Sequence, residues 1–370
     1  MNKLVILITA LVLFSCNKEQ GYTIKIDISD LAGSQLSLSK YKDGNVVKID
    51  SVILDSEGTG TMNGSVDSEE IVALGADEKQ MLKQFFLGNY TYSINQKDSL
   101  DGTSENIIIK ASGGPQVDYD EYLDDVTNIS EQQQEIGNKY RAASDAQVDE
   151  DSLKKIVDSY YALEDQKEAI DSIFILNHPA SVVSAYLLRS NYYKYTIDQL
   201  EEKLALLDSS LHTTVYFTLM ADHLDKMKNV QIGNPYIDFE LPDTSGNPLK
   251  LSDLAGKGVL MIDFWASWCG PCRRANPDVV EIYNEYNKKG FNILGVSLDR
   301  EKENWVKAIE DDGLEWHHVS DLLFWQSAAA DLYAVSSIPH TVLLDKEGII
   351  VARNLSKEEL KSKIEELLAE

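Results

Sequence analysis

Two thiols three residues apart, Cys269 and Cys272, are the strongest chemical signal in the chain. They stand in Trp268-Cys269-Gly270-Pro271-Cys272, after the apolar run Val259 to Trp265 and before a helical stretch from Arg274 to Lys288. On a first helical turn, residues at this spacing share one face with Cβ atoms about 5–6 Å apart. A small adjustment brings them to the ~3.8 Å that a disulfide prefers. Pro271 fits there because first-turn N–H groups have no partner within the helix. The spacing puts Cys269 at the positive end of the helix dipole, where a thiolate is favoured below the free-thiol value of ~8.5. Arg273 and Arg274 are expected to add positive charge beside it. Cys272, a turn further in, is the shielded partner. Attack by Cys269 on a disulfide would form a mixed disulfide, which Cys272 would then resolve.

Zinc is the competing use of a Cys-x-x-Cys pair, and it needs two more soft or imidazole ligands. Cys16 is the only other cysteine, and His317, His318 and His340 are the nearby imidazoles. No metal and no cofactor is expected on these grounds. Cys16 has a separate reading. Leu4 to Phe14 is an apolar run broken only by Thr9, with Lys3 in front of it. Such a run spans roughly 16 Å as helix, well short of the ~30 Å hydrocarbon core, so residues 1–15 read as an export signal rather than a membrane span. Leu13-Phe14-Ser15-Cys16 resembles the bacterial lipoprotein box, which implies that Cys16 becomes the lipidated first residue of the mature chain, with 16–21 as its tether. Acyl chains there would hold the protein to a membrane. No thiol is then left for a structural staple, although an exported chain could form one.

The elements that must position this chemistry follow from periodicity. At 370 residues, with 43% hydrophobic and 26% charged residues, the chain is long enough for two or three ordinary domains. A net charge of −27 without a basic stripe speaks against nucleic acid as a partner. From 22 to 114 the pattern has period two: Tyr22, Ile24, Ile26 and Ile28 alternate with polar residues, and Asp43-Gly44-Asn45 and Glu57-Gly58 mark turns. This predicts an antiparallel, sandwich-like β domain, read as a spacer or interaction module because no catalytic cluster stands out in it. Gly113-Gly114-Pro115 ends the pattern, and 115–230 reads as a helical region. There Leu153, Ile156, Val157, Tyr160, Leu163, Ile170 and Phe174 recur mostly every three or four residues. Pro179 is expected to open a helix, and Thr196 with Gln199 to form a capping box. The tyrosines Tyr160, Tyr161, Tyr186, Tyr192, Tyr193 and Tyr195 read as helix packing more readily than as a binding groove.

In 231–370 the pattern switches again. Val259 to Trp265 is continuously apolar apart from Asp263, as in a strand buried on both faces. Strands are expected at Phe291–Leu298, Thr341–Leu344 and Gly348–Asn354, and helices at Glu301–Asp311 and after a Ser356/Glu359 cap. Together these predict an α/β domain with a mixed sheet and helices on both faces.

The Trp-Cys-Gly-Pro-Cys motif matches the thioredoxin active site, and further positions agree. Asp263 falls where thioredoxins keep a buried carboxylate, Pro277 where their active-site helix kinks, and Ile338-Pro339 where they carry a cis-proline. The lead-in Ile237–Leu241 and Leu249–Ser252 resembles the N-terminal hairpin of the TlpA/ResA-like envelope branch, and His178–Ser181 with Leu187-Leu188 is similar to the helical segment of long Bacteroidetes-type lipoprotein members. The resemblance implies a thioredoxin-like C-terminal domain acting as a thiol-disulfide oxidoreductase of the cell envelope. It implies Asp263 as proton acceptor for Cys272, with its pKa raised by desolvation. Pro339 would present the Ile338 backbone to substrate, and Trp268 would shield the thiols and offer a docking surface. Residue His340 could tune the thiolate or be passive. The Gly-Pro pair implies a reducing poise, disulfide-containing envelope proteins as substrates (apocytochrome c among them), and a membrane thiol-transfer partner as reductant. A disulfide oxidase or isomerase, and a binding lipoprotein with a subsidiary thioredoxin domain, are the alternatives.

Overall fold

A computed structural model describes residues 21–42, 45–77, 80–100, 106–146 and 148–369. The export signal (1–15), Cys16, residues 16–20 of the tether and the Asp43-Gly44 turn lie outside the described residues. The chain divides into two compact units, 1–184 and 185–370, so the helical stretch expected over 115–230 is shared between them.

Among the described residues of the first unit, eight strands form two four-stranded sheets. One has the order β4 (Thr59–Gly64), β1 (Tyr22–Asp27), β7 (Thr91–Gln96), β8 (Ile107–Ala111); the other runs β3 (Asn45–Ile53), β2 (Gln35–Lys42), β5 (Glu70–Ala76), β6 (Gln80–Leu87). Alternate residues of β1, Tyr22, Ile24 and Ile26, enter one buried cluster that also takes Leu36, Leu38, Leu74, Phe85 and Ile94 from strands of both sheets. That is the sandwich-like core the period-two pattern predicts. The sheets are not wholly antiparallel, however: β1 and β7 run parallel. Between them the chain visits the other sheet, and a long crossover of this kind permits parallel pairing where a tight hairpin does not. Helix α1 (Pro115–Asp145) starts on Pro115 after Gly114, whose φ of +76° suits glycine. α2 (Glu150–Asn177) starts on an Asp149 cap that accepts the Ser152 N–H. Pro179 does not open a helix. It lies in a turn, and α3 (Val182–Asn191) begins only after Ser181, whose hydroxyl accepts the Val183 N–H.

The second unit carries α4 (Ile197–Ala205) behind the Thr196/Gln199 capping box, and α5 (Val215–Asn229). A short hairpin, β9 (Glu240–Pro242) with β10 (Pro248–Lys250), leads into a five-stranded mixed sheet. Its order is β13 (His317–Val319), β12 (Phe291–Ser297), β11 (Val259–Trp265), β14 (His340–Leu344), β15 (Ile350–Arg353); β11 to β13 are parallel, and β14 and β15 add antiparallel pairs. Every residue of central β11 is buried. Helices α6 (Gly270–Tyr286), α7 (Lys302–Asp312), α8 (Ala328–Leu332) and α9 (Lys357–Ala369) complete it. The Ser356/Glu359 cap precedes α9, with the Ser356 N–H and hydroxyl both donating to the Glu359 carboxylate. This is a thioredoxin-like fold. Among the described residues, no helix is long and apolar enough to cross a membrane.

Candidate active site

The central strand β11 delivers the reactive loop. Leaving the buried sheet at Trp265, the chain turns through Ala266-Ser267-Trp268 and enters α6 on Cys269, which occupies the cap position. The helix thus begins at Gly270, four residues before the expected Arg274, because Pro271 costs nothing in a first turn. Cys269 and Cys272 form a disulfide with Cα atoms 5.3 Å apart, and both are buried. The Sγ of Cys269 accepts the Cys272 N–H at 3.1 Å. The same sulfur, once reduced, faces the unpaired N–H groups of the first turn, the geometry that stabilises a thiolate.

Asp263 lies on β11 and is buried, and desolvation pushes its pKa up to about 7. It lines a cavity of about 360 Å³ with Cys272, Asn276, Pro339 and Leu360. The Ile338–Pro339 bond is cis. Structure therefore brings Asp263, Cys272 and Pro339 around one space. His340 lines a different cavity, of about 480 Å³, with Tyr193, Tyr195, His223 and Arg353. Its Nε2 stands 2.8 Å from the Arg353 guanidinium. Arginine only donates, so that nitrogen accepts and the ring is neutral. Burial, reinforced by the Arg353 charge, takes the His340 pKa down to about 3.

Arg273 departs from expectation. Rather than standing free beside the thiols, it makes a two-pronged pair with Asp312, Nη2 to Oδ1 at 2.8 Å. The neighbouring carboxylate offsets much of its charge. Arg274 passes beside Gly270, 3.3 Å from where a Cβ would stand. Of the tyrosines, Tyr186 packs edge-on against Tyr216, Tyr161 and Tyr193 are exposed, and Tyr193 and Tyr195 line the second cavity.

The sequence reading missed Asp299. This buried carboxylate, two residues beyond β12, accepts the Ser267 N–H at 3.0 Å, the Ser267 hydroxyl and the Ser297 hydroxyl at 2.7 Å. It fixes the loop that presents Cys269 from a neighbouring strand. An acidic residue closing the apolar run Phe291–Leu298 was the available signal. His318 on β13 was also unassigned; it is buried with its ring 5.7 Å from both Trp265 and Trp316.

The chain is similar in sequence to known proteins. Residues 232–353 match the AhpC/TSA family, and residues 22–118 match a domain of unknown function, DUF4369. The chain is 35% identical over 154 residues to the thiol-disulfide oxidoreductase ResA of Geobacillus thermodenitrificans, a match covering 41% of this chain and 86% of that protein. It belongs to the ResA-related thiol-disulfide oxidoreductases. ResA of Oceanobacillus iheyensis is 33% identical over 144 residues, 38% of this chain and 73% of that one. Among solved structures, a thiol-disulfide oxidoreductase from Bacteroides fragilis is 37% identical and aligns over 36% of this chain and 99% of its own, with a TM-score of 0.35. The thioredoxin domain of another from Bacteroides vulgatus is 35% identical, covering 37% and 98%, also with a TM-score of 0.35. Like its relatives, this ResA-related chain is a thioredoxin-fold enzyme of thiol-disulfide exchange; the strands of its first unit fall within the DUF4369 match.

Proposed function

We propose that the protein reduces disulfides of envelope proteins, with Cys269 as nucleophile and Cys272 as resolving thiol. The observation that carries this reading is the capping position of Cys269, whose Sγ accepts the Cys272 N–H while Cys272 shares its cavity with the buried Asp263 carboxyl. The Cys269 thiolate bonds to one sulfur of the substrate as the substrate S–S bond breaks, and the departing thiolate takes a proton from solvent. Cys272 passes its proton to the Asp263 carboxylate and attacks the Cys269 sulfur. The mixed disulfide breaks and a Cys269–Cys272 disulfide remains. The second substrate sulfur leaves as a thiolate and takes a proton from solvent, while Asp263 gives its proton back to solvent. Two electrons have moved to the substrate, so a membrane dithiol partner must return two. Trp268, half exposed at the motif, meets the substrate, and Pro339 borders the space beside Cys272.

In this reading residues 1–15 export the chain and Cys16 carries lipid, so the chemistry would act on the periplasmic side of a membrane, where apocytochrome c is one substrate with the right chemistry. The support is the lipoprotein-box resemblance and the absence of any other use for that thiol. Reduction of insulin by the purified protein, recycled with a chemical dithiol, tests the reductase reading; failure to reduce it sinks the proposal. Titration against glutathione tests the direction: a potential well above the ~−270 mV of thioredoxin would make the protein an oxidase or isomerase. Cys16→Ser should release the protein from the membrane fraction.

A further inference from the structure

Beside the motif lies a loop whose backbone and side chains fold stability does not explain. In Asp321-Leu322-Leu323-Phe324-Trp325-Gln326, Leu322 and Phe324 adopt φ of +57° and +59°. Bulky side chains are disfavoured there, and glycine or asparagine is the ordinary solution. Polar bonds at the ends hold the loop in place. Ser320 accepts the Leu322 N–H at 3.1 Å and donates to the Ser297 carbonyl at 2.8 Å, while Asp321 accepts the N–H groups of Leu323 and Ala328. Leu322 packs against the core in return, but Leu323 stays 51% exposed and Trp325 40%. Phe324 packs its ring 5.1 Å from Trp268, Trp325 stands 6.2 Å from Trp268, and the Arg300 guanidinium lies 4.4 Å from the Phe324 centroid. Trp268 is itself 47% exposed and precedes the nucleophile directly.

Clustered exposed aromatics mark interaction surfaces, and unfavourable backbone held in place beside a reactive group points to use rather than to stability. We infer that the 322–325 loop is a substrate-docking surface continuous with Trp268, and that it selects disulfide-bearing polypeptides carrying an apolar or aromatic side chain next to the attacked cysteine. The occupant follows from continuity: a chain whose disulfide reaches Cys269 must pass Trp268, and the residue beside its cysteine meets the ring of Phe324 or Trp325. Aromatic side chains supply large contact area there at low entropic cost. This inference rests on the thiol-disulfide reading given above.

The test uses the full chain and two peptides, identical except that phenylalanine or serine flanks the cysteines of an internal disulfide. The readout is the ratio of kcat/KM for the two peptides, measured within each protein so that changes in the nucleophile cancel. The parent should prefer the phenylalanine peptide by roughly tenfold. Phe324→Gly and Trp325→Ser should each erase most of that ratio. Phe324→Gly relieves the unfavourable φ, so its Tm should not fall below the parent's; Trp325→Ser alters an exposed side chain and leaves the backbone unchanged. A parent indifferent to the flank, or a preference surviving in both variants, overturns the docking surface. So does a parent that sediments as a dimer which both variants dissolve, since the patch then seats a second copy. A parent active on dithiobis(2-nitrobenzoate) but indifferent to the flank defeats this inference alone, whereas one inert toward every disulfide defeats the oxidoreductase reading beneath it.

Discussion

The two units solve the same packing problem and differ in what they bury with it. In the β sandwich the core cluster is drawn from apolar and tyrosine side chains, and polar groups deep in that unit, such as Gln116 and Asp171, belong to its helices. The thioredoxin-like unit buries Asp263, Asn276, Ser297, Asp299, His318 and Ser320 on or beside the strands that carry the motif. Burying a polar group costs free energy unless it is bonded. Asn276, Ser297, Asp299 and Ser320 are bonded, so the second unit carries that cost at His318, whose ring nitrogens have no hydrogen-bond partner among the described residues, and at the desolvated Asp263. The difference separates a scaffold from a site: one core answers to packing alone, the other is tied to chemistry as well.

The contrast breaks most sharply at the sulfurs. Cys272→Ser should lower turnover by about three orders of magnitude or more and leave a mixed disulfide on Cys269, visible by mass spectrometry on non-reduced protein. A variant that still turns over with no trapped adduct would remove Cys272 from the mechanism. Next in size is Asp263→Asn. The folded carboxyl titrates near 7 and the unfolded one near the ordinary ~3.9, so the folded state binds the proton more tightly. Stability therefore falls as pH rises from about 4 to 7 and is flat above that. Removing the charge should stabilise the second unit by up to about 4 kcal/mol at pH 8, less the cost of burying the amide, and by little at pH 4. The same variant should slow the release of mixed disulfide. A gain in stability that did not depend on pH would contradict this cause.

Ile94→Ala should cost the first unit about 2–5 kcal/mol through the cavity it leaves in a fully buried position. Disulfide exchange should change less than about twofold, because Ile94 packs in the core of a separate compact unit. Separate melting of the two units by calorimetry, with an insulin assay alongside, decides it. A large loss of exchange would show that the β unit takes part in the chemistry.

How legible this was depended on range. The motif, the buried carboxylate position and the cap of α9 are local patterns, and each stands in the structure at the residues expected. The pairing of β1 with β7 was not legible, since alternation fixes which face a strand buries but not its neighbour or direction. The same holds for Arg273 and Asp299. Both act through partners more than 30 residues away in sequence, Asp312 for the one and Ser267 for the other, and nothing in local spacing signals either approach. Pro179 misled because proline suits a turn as well as a first helical position.

The smallest expected effect sharpens the comparison through pH. Burial holds the His318 imidazole neutral, with its pKa lowered to about 3 against an ordinary ~6.5. Below pH 6.5 the unfolded chain binds a proton that the folded unit refuses, so stability falls as pH drops, by about 2 kcal/mol at pH 5. His340 adds to this in the same direction. Asp263 opposes it, since its penalty shrinks over the same interval by a similar amount. In the parent the carboxyl offsets only about half of the two imidazoles' loss between pH 7 and 5, so the second unit should lose about 2 kcal/mol over that interval. Asp263→Asn removes that offset, and the acid sensitivity of the second unit should then roughly double. Calorimetry of parent and variant at the two pH values reads it. Equal slopes in parent and variant would mean that the carboxyl is ionised throughout, and the polar burial that distinguishes this unit would need a different explanation.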